Sequence, residues 1–185
     1  MRKMRKQLYV LFGLLALVFT NTSCDLNTTS DSTPSIQPFN PYVINQSDTL
    51  KFNYDKEYNL FLDTISMGDT IQFAFQFVGY SNCLTRIEID YDEDCGQLIN
   101  LPTDTLNKVF DGNLSDYEDG KFIIPQNISM VVLPFQYTPT EVGDDGEIEI
   151  FVASDAQFDA NNRIFKFEIP VVSEQEENEE AVDED

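Results

Sequence analysis

A chain of 185 residues and 21.2 kDa has room for one domain of ordinary size with a short segment at each end, not for two large cores. Eleven Lys and Arg stand against 33 Asp and Glu, a formal net charge of −22, and there is no His and no Trp. Without imidazole there is no Ser-His-Asp or Cys-His nucleophile and no histidine metal site, and a charge this negative repels a phosphate backbone, which excludes nucleic acid as a partner.

The chain opens with Arg2, Lys3, Arg5 and Lys6, followed by an apolar run from Leu8 to Phe19 and then Thr20, Asn21, Thr22, Ser23 and Cys24. That is the charged and apolar order of a secretory signal over residues 1–23. The run is about a dozen residues, short of the roughly 20 that a membrane-spanning helix needs. A small residue directly before Cys24 resembles the lipobox of bacterial lipoproteins, although Asn21 stands where that motif usually has Leu. The resemblance implies that Cys24 is lipidated, palmitate included, and becomes the first residue of the mature chain. Ordinary cleavage that leaves Cys24 a plain thiol is the alternative. Cleavage after Ser23 leaves seven basic residues against 33 acidic ones, a formal −26 over 162 residues. Contact with the membrane then rests on acyl chains and not on charge.

From residue 24 to residue 48 the chain is rich in Ser, Thr, Asn and Asp, with Pro34, Pro38 and Pro41, which is the composition of a flexible tether; an edge strand starting at Tyr42 or Ile44 is the alternative. Such a coil spans roughly 25 to 30 Å.

Residues 49–172 carry a period of two. Ile71, Phe73, Phe75 and Phe77 alternate with Gln72, Ala74 and Gln76; the same alternation runs through Leu50–Tyr54, Ile87–Tyr91, Val131–Tyr137, Ile148–Val152 and Phe165–Val171. Shorter apolar pieces lie at Tyr58–Leu62, Leu106–Phe110 and Phe122–Ile124, and Gly, Asp and Asn clusters separate them. No segment has the spacing of three and four that an amphipathic helix requires. With 42% hydrophobic and 12% aromatic residues, the expectation is an all-β, antiparallel sandwich of seven to nine strands around a Phe-rich interior, with a jelly roll or closed barrel as the alternative. The polar stretch Asp92–Gly120 reads as an insertion or long loop. Residues 173–185 are dominated by acidic side chains and form a solvated tail.

The stretch FQYTPTEVGDDGEIEIFVASDAQFDANNRIFKFEIPVV is similar to the last strands of bacterial immunoglobulin-like domains, and Gly68-Asp69-Thr70-Ile71 resembles the approach to an early strand of the same fold. The resemblance implies an immunoglobulin-like architecture and carries no activity.

Candidate site residues follow. With Cys24 lipidated, Cys83 and Cys95 form an even pair in an oxidising compartment and are expected to be disulfide-bonded. Asp90, Asp92 and Asp94 make a D-x-D-x-D run that departs from a helix-loop-helix calcium loop, having Cys95 where Gly and Leu101 where Glu belong, and leaves room only for a looser Ca2+ site. Asp111, Asp116, Glu118, Asp119, Asp155 and Asp159 offer further carboxylates. Ser32, Thr49, Thr64, Thr70 and Thr105 each follow an Asp in a pattern similar to a bacterial O-glycosylation acceptor, with Ser32 in the tether the most accessible. Tyr80, Tyr91 and Tyr117 fall near turns, where a ring stacks on a sugar or anchors a partner.

Taken together, the residues predict a lipid-anchored protein of the bacterial cell envelope, at the outer membrane. It needs no cofactor and binds a protein or glycan through sandwich loops without catalysis. The alternatives are a small hydrolase using paired carboxylates and a calcium-dependent adhesion module.

Overall fold

Apolar side chains at every second position give an extended chain one face to bury, and the long strands form where that alternation is longest. The computed structural model of the chain describes residues 32–44, 49–125, 127–143, 146–157 and 161–173. In chain order these contain β1 (Ser35–Pro38), β2 (Tyr42–Val43), β3 (Phe52–Tyr54), β4 (Leu60–Leu62), β5 (Ile65–Ser66), β6 (Ile71–Val78), β7 (Leu84–Tyr91), β8 (Gly96–Ile99), the helix α1 (Thr103–Leu106), β9 (Lys121–Ile123), β10 (Met130–Pro139), β11 (Glu147–Ser154), β12 (Asn162–Glu168) and β13 (Val171–Val172).

Five strands make one sheet in the order β1-β6-β10-β8, with β2 paired to β6 beyond the end of β1. Six make the other, in the order β3-β4-β12-β11-β7-β9, and β13 pairs with β5 in a short parallel ribbon. The sheets are open paths, so the fold is all-β and sandwich-like, and the closed-barrel alternative fails.

The core lies between the two larger sheets. Phe73, Phe75, Phe77 and Phe135 from the first meet Ile87, Ile148, Ile150 and Phe167 from the second, all buried. Phe73 stacks on Phe135 at 5.3 Å within its sheet and reaches Phe167 across the core at 5.5 Å. Phe52 sets its edge against Phe167 at 5.1 Å and so closes the end of the second sheet. Ring pairs of this kind add about 0.5–1.5 kcal/mol each beyond the area they bury.

Three expectations change. The tether over residues 24–48 does not remain a coil throughout: Ile36 lies opposite Phe77 and Val43 opposite Ile71, so the domain begins well before residue 49. Three prolines masked this, yet an edge strand needs no ladder partner on its outer side and tolerates them. The strand count exceeds nine because pieces of two to four residues are too short to show a period. Asp92–Gly120 is built into the fold, since it supplies β8 and α1 and buries Leu106 and Phe110 beneath Phe122.

The outer faces of the sheets differ. Not one residue in β1, β2, β6, β8 or β10 is charged. The other sheet carries Arg86, Glu88 and Asp90 on β7, Glu147 and Glu149 on β11, and Arg163, Lys166 and Glu168 on β12.

Candidate functional site

One pole of the sandwich gathers the β7–β8 turn, the β10–β11 connection and β13. Asp92 shapes the first, its carboxylate accepting the Asp94 N–H at 3.0 Å while its carbonyl accepts the Cys95 N–H at 3.2 Å. Thr140 N–H donates to the Cys95 carbonyl at 2.9 Å, which ties the two connections together. Gly143 and Val171 exchange backbone hydrogen bonds of 3.0 and 2.8 Å. Cys95, Glu141, Val142, Gly143, Gly146 and Val171 line an indentation of about 100 Å³ there.

Tyr137 lies in the same region, 1% exposed, with its ring 6.4 Å from that of Tyr91. A Cβ on Gly96 would overlap the Tyr137 ring, so glycine at that position is what lets the phenol lie across β8. Burial above all, and then the charges of Cys95, Asp92 and Tyr91, push its hydroxyl up to about 12. A phenol so placed keeps its proton at neutral pH. The indentation holds only a few waters or a small polar molecule, against the roughly 300–1,000 Å³ of an ordinary ligand pocket.

The acidic run is not drawn together. Asp90 points outward on β7 beside Glu149 of β11, while Asp92 and Asp94 sit in the turn. Among the described residues, no group of three or more Cys, Asp or Glu side chains converges as a metal site. Several of the singled-out carboxylates serve the backbone instead. Asp111 accepts the Asn113 N–H at 3.0 Å, Asp116 the Asp119 N–H at 3.3 Å and Asp155 the Cys83 N–H at 2.8 Å. For Asp111 and Asp116 the signal was local, in Asp followed within two or three residues by Gly, Asn or Asp; for Asp155, whose partner lies 72 residues away, there was none.

The expected Cys83–Cys95 disulfide is corrected, because the two are not bonded to each other. Cys83 precedes β7 and Cys95 follows it, and eight extended residues span about 26 Å. A disulfide needs Cα atoms within about 7 Å.

Of the glycosylation candidates, Thr49 and Thr64 are exposed, whereas Thr70 shares a 3.0 Å hydroxyl contact with Thr138 and Thr105 is half-buried in α1. Ser32 is half-buried, its carbonyl accepting from the Asn82 amide at 3.1 Å, and so is not the most accessible of the five. Cys24 and the rest of residues 1–31, and the tail from residue 174, lie outside the described residues.

Among the tyrosines, Tyr91 packs on Tyr137, and Tyr117 packs on Phe110 and Phe122 with its hydroxyl donating to Asn107 at 2.8 Å. Tyr80 is 52% exposed, with a left-handed backbone at φ 57. Two more were missed. Tyr54 and Tyr58, 68% and 86% exposed, stand on the β3–β4 hairpin. There the Asp55 carboxylate accepts the Glu57 and Asn59 N–H groups at 2.7 and 2.8 Å and fixes Tyr58 at φ 67. β4 runs parallel to β12, so this hairpin points toward the end of the sandwich where the Tyr80 turn lies. Asp-x-x-Tyr-Asn after a strand was the available signal.

No protein-family model matches the chain, and no curated protein does.

Proposed function

We propose that this protein is a lipid-anchored component of a bacterial cell envelope, held at the outer membrane through Cys24, whose sandwich domain binds protein or glycan through its turns without catalysing a reaction. The observation that carries the reading is the order Arg2–Lys6, apolar Leu8–Phe19, Ser23-Cys24. Three exposed tyrosines on stiff turns, Tyr54, Tyr58 and Tyr80, support a contact role, because an aromatic ring offers large area at small entropy cost.

The finer architecture in this reading is immunoglobulin-like. The order β1-β6-β10-β8 parallels the A-B-E-D sheet of that fold, and β12-β11-β7 parallels G-F-C. β9 follows β8 in the chain yet flanks β7, which departs from the usual sequence of strands and accounts for the long Asp92–Gly120 segment.

Intact-mass analysis of the protein from its native host tests the anchor. The expected species starts at Cys24 and carries acyl chains. An unprocessed start, or an unmodified Cys24, overturns the reading.

A further inference from the structure

From the charge-free sheet we infer that this protein pairs with a second copy of itself through the outer face of β6 and β10. The inference does not depend on the lipid anchor.

Registered outward residues make the face. Gln72 lies opposite Gln136, Ala74 opposite Pro134 and Gln76 opposite Val132 on β6 and β10, all half-buried except the buried Pro134, and the exposed Ile99 extends the face onto β8. The amides are already ordered along it. Gln136 Nε2 donates to Gln72 Oε1 at 3.1 Å, Gln72 Nε2 donates to the Phe135 carbonyl at 2.9 Å, and Gln76 Nε2 contacts Met130 Sδ at 3.3 Å. Side chains fixed before contact lose little entropy when a partner arrives. Pro134 sits where β8 no longer flanks β10, since β8 pairs only with Gln136–Pro139, so it disturbs no ladder.

Charge decides the occupant. Two chains of net charge −22 repel one another across most of their surfaces. Contact through the other sheet would take Asp90, Glu147, Glu149 and Glu168 out of water together with Arg86 and Lys166, charges whose ion pairs there, Arg86–Glu88 and Lys166–Glu147, lie at the surface. The β6–β10 face has no charge to bring. An isologous pair also needs a self-complementary surface; Gln72 spends both amide protons on the Phe73 and Phe135 carbonyls and can only accept, whereas Gln136 and Gln76 each place one amide proton within the sheet and keep the other, with the amide oxygen, for a partner. Strands about 4.8 Å apart with about 3.3 Å per residue, eight and ten residues long in β6 and β10 but only four in β1 and β8, give roughly 400 Å² per copy, or about 800 Å² in total, the size of a weak, transient contact.

Sedimentation equilibrium of the full chain in density-matched detergent tests the pairing. The expected result is a monomer–dimer equilibrium with a dissociation constant on the order of 10 to 100 μM. Raising NaCl from about 0.05 to 1 M tightens it by screening the repulsion. Gln76→Glu and Gln136→Glu each weaken the dimer at least about tenfold by placing like charges across the contact, while Glu149→Gln leaves the face itself unchanged and does not weaken it. If circular dichroism shows that Gln136→Glu does not fold, Gln97→Glu on β8 is read in its place. A chain monomeric up to about 1 mM in high salt overturns the inference, and so does a dimer equally strong in Gln76→Glu and Gln136→Glu.

Discussion

β6 and β11 are each eight residues long and alternate buried and half-buried positions, yet IQFAFQFV shows water amides and alanine where EIEIFVAS shows glutamates and a phenylalanine. Their inward faces obey the same requirement, a tightly packed apolar layer, and for that reason look alike. Their outward faces are free of that requirement and record what each is for. Charges of both signs cover the six-stranded sheet, which suits a face left in water. The five-stranded sheet, neutral throughout, lacks the charges that normally guard a sheet against association.

The largest expected effect tests the shared half of the comparison. Phe75→Ala, deep between the sheets, is expected to lower unfolding free energy by about 3–5 kcal/mol in denaturant titration. Phe151→Ala, on the charged outer face with the Arg86 guanidinium 4.9 Å from its ring, should cost only about 0.5–1 kcal/mol. Equal losses would mean that the inner and outer faces are misassigned.

Each sheet also depends on a glycine near an edge. At Gly120, φ is +65 and a Cβ would overlap the Ile89 carbonyl oxygen that faces β9's turn. Gly120→Ala should therefore cost about 2–4 kcal/mol. Gly96→Ala in the neutral sheet meets the Tyr137 ring instead and should cost about 1–3 kcal/mol. Thermal unfolding of both variants separates a backbone obstacle from a side-chain one.

Tyr137 predicts an alkaline limit for the neutral sheet. Burial raises its folded pKa to about 12 from 10.0, so the folded state keeps a proton that the unfolded state releases. The stability that this contributes is complete below pH 10 and is lost as pH rises through about 12. Absorbance titration at 295 nm should show one tyrosine ionising after the others, and Tyr137→Phe should remove that late step.

The smallest effect is local to the charged sheet's outer hairpin. Hydrogen bonds from Asn59 hold the Asp55 carboxyl below its ordinary 3.8, so the turn is at full order above that value and loses it as pH falls through the lower folded one. Asp55→Ala should speed hydrogen exchange at Glu57 and Asn59 without moving the global unfolding midpoint.

What could be read from the sequence followed the same division. Alternation in Ile71–Phe77, Val131–Tyr137 and Ile148–Val152 placed the long strands, because a core imposes a period on whatever faces it. β1, β5 and β13 were hidden, since a period cannot show in two to four residues, and β2 showed only as the edge-strand alternative at Tyr42. Leu106–Phe110 looked like a strand fragment, but Leu106 ends a helical turn that buries it with Phe110 against the sheet. The Cys83–Cys95 pairing failed because spacing in sequence says nothing about whether the residues between run straight. The acidic clusters looked like ligands because a carboxylate that caps a turn has the same composition as one that binds a cation. The neutral face was legible all along in the absence of charge from Ile71–Val78 and Met130–Pro139.

Hydroxyl-radical footprinting of the full chain across a dilution series puts the contrast between the sheets to its most direct test. The prediction is that Met130 and Val132 become protected as concentration rises while Phe151 and Ile164 do not. Protection that is equal on both faces, or absent from both at every concentration, would contradict it.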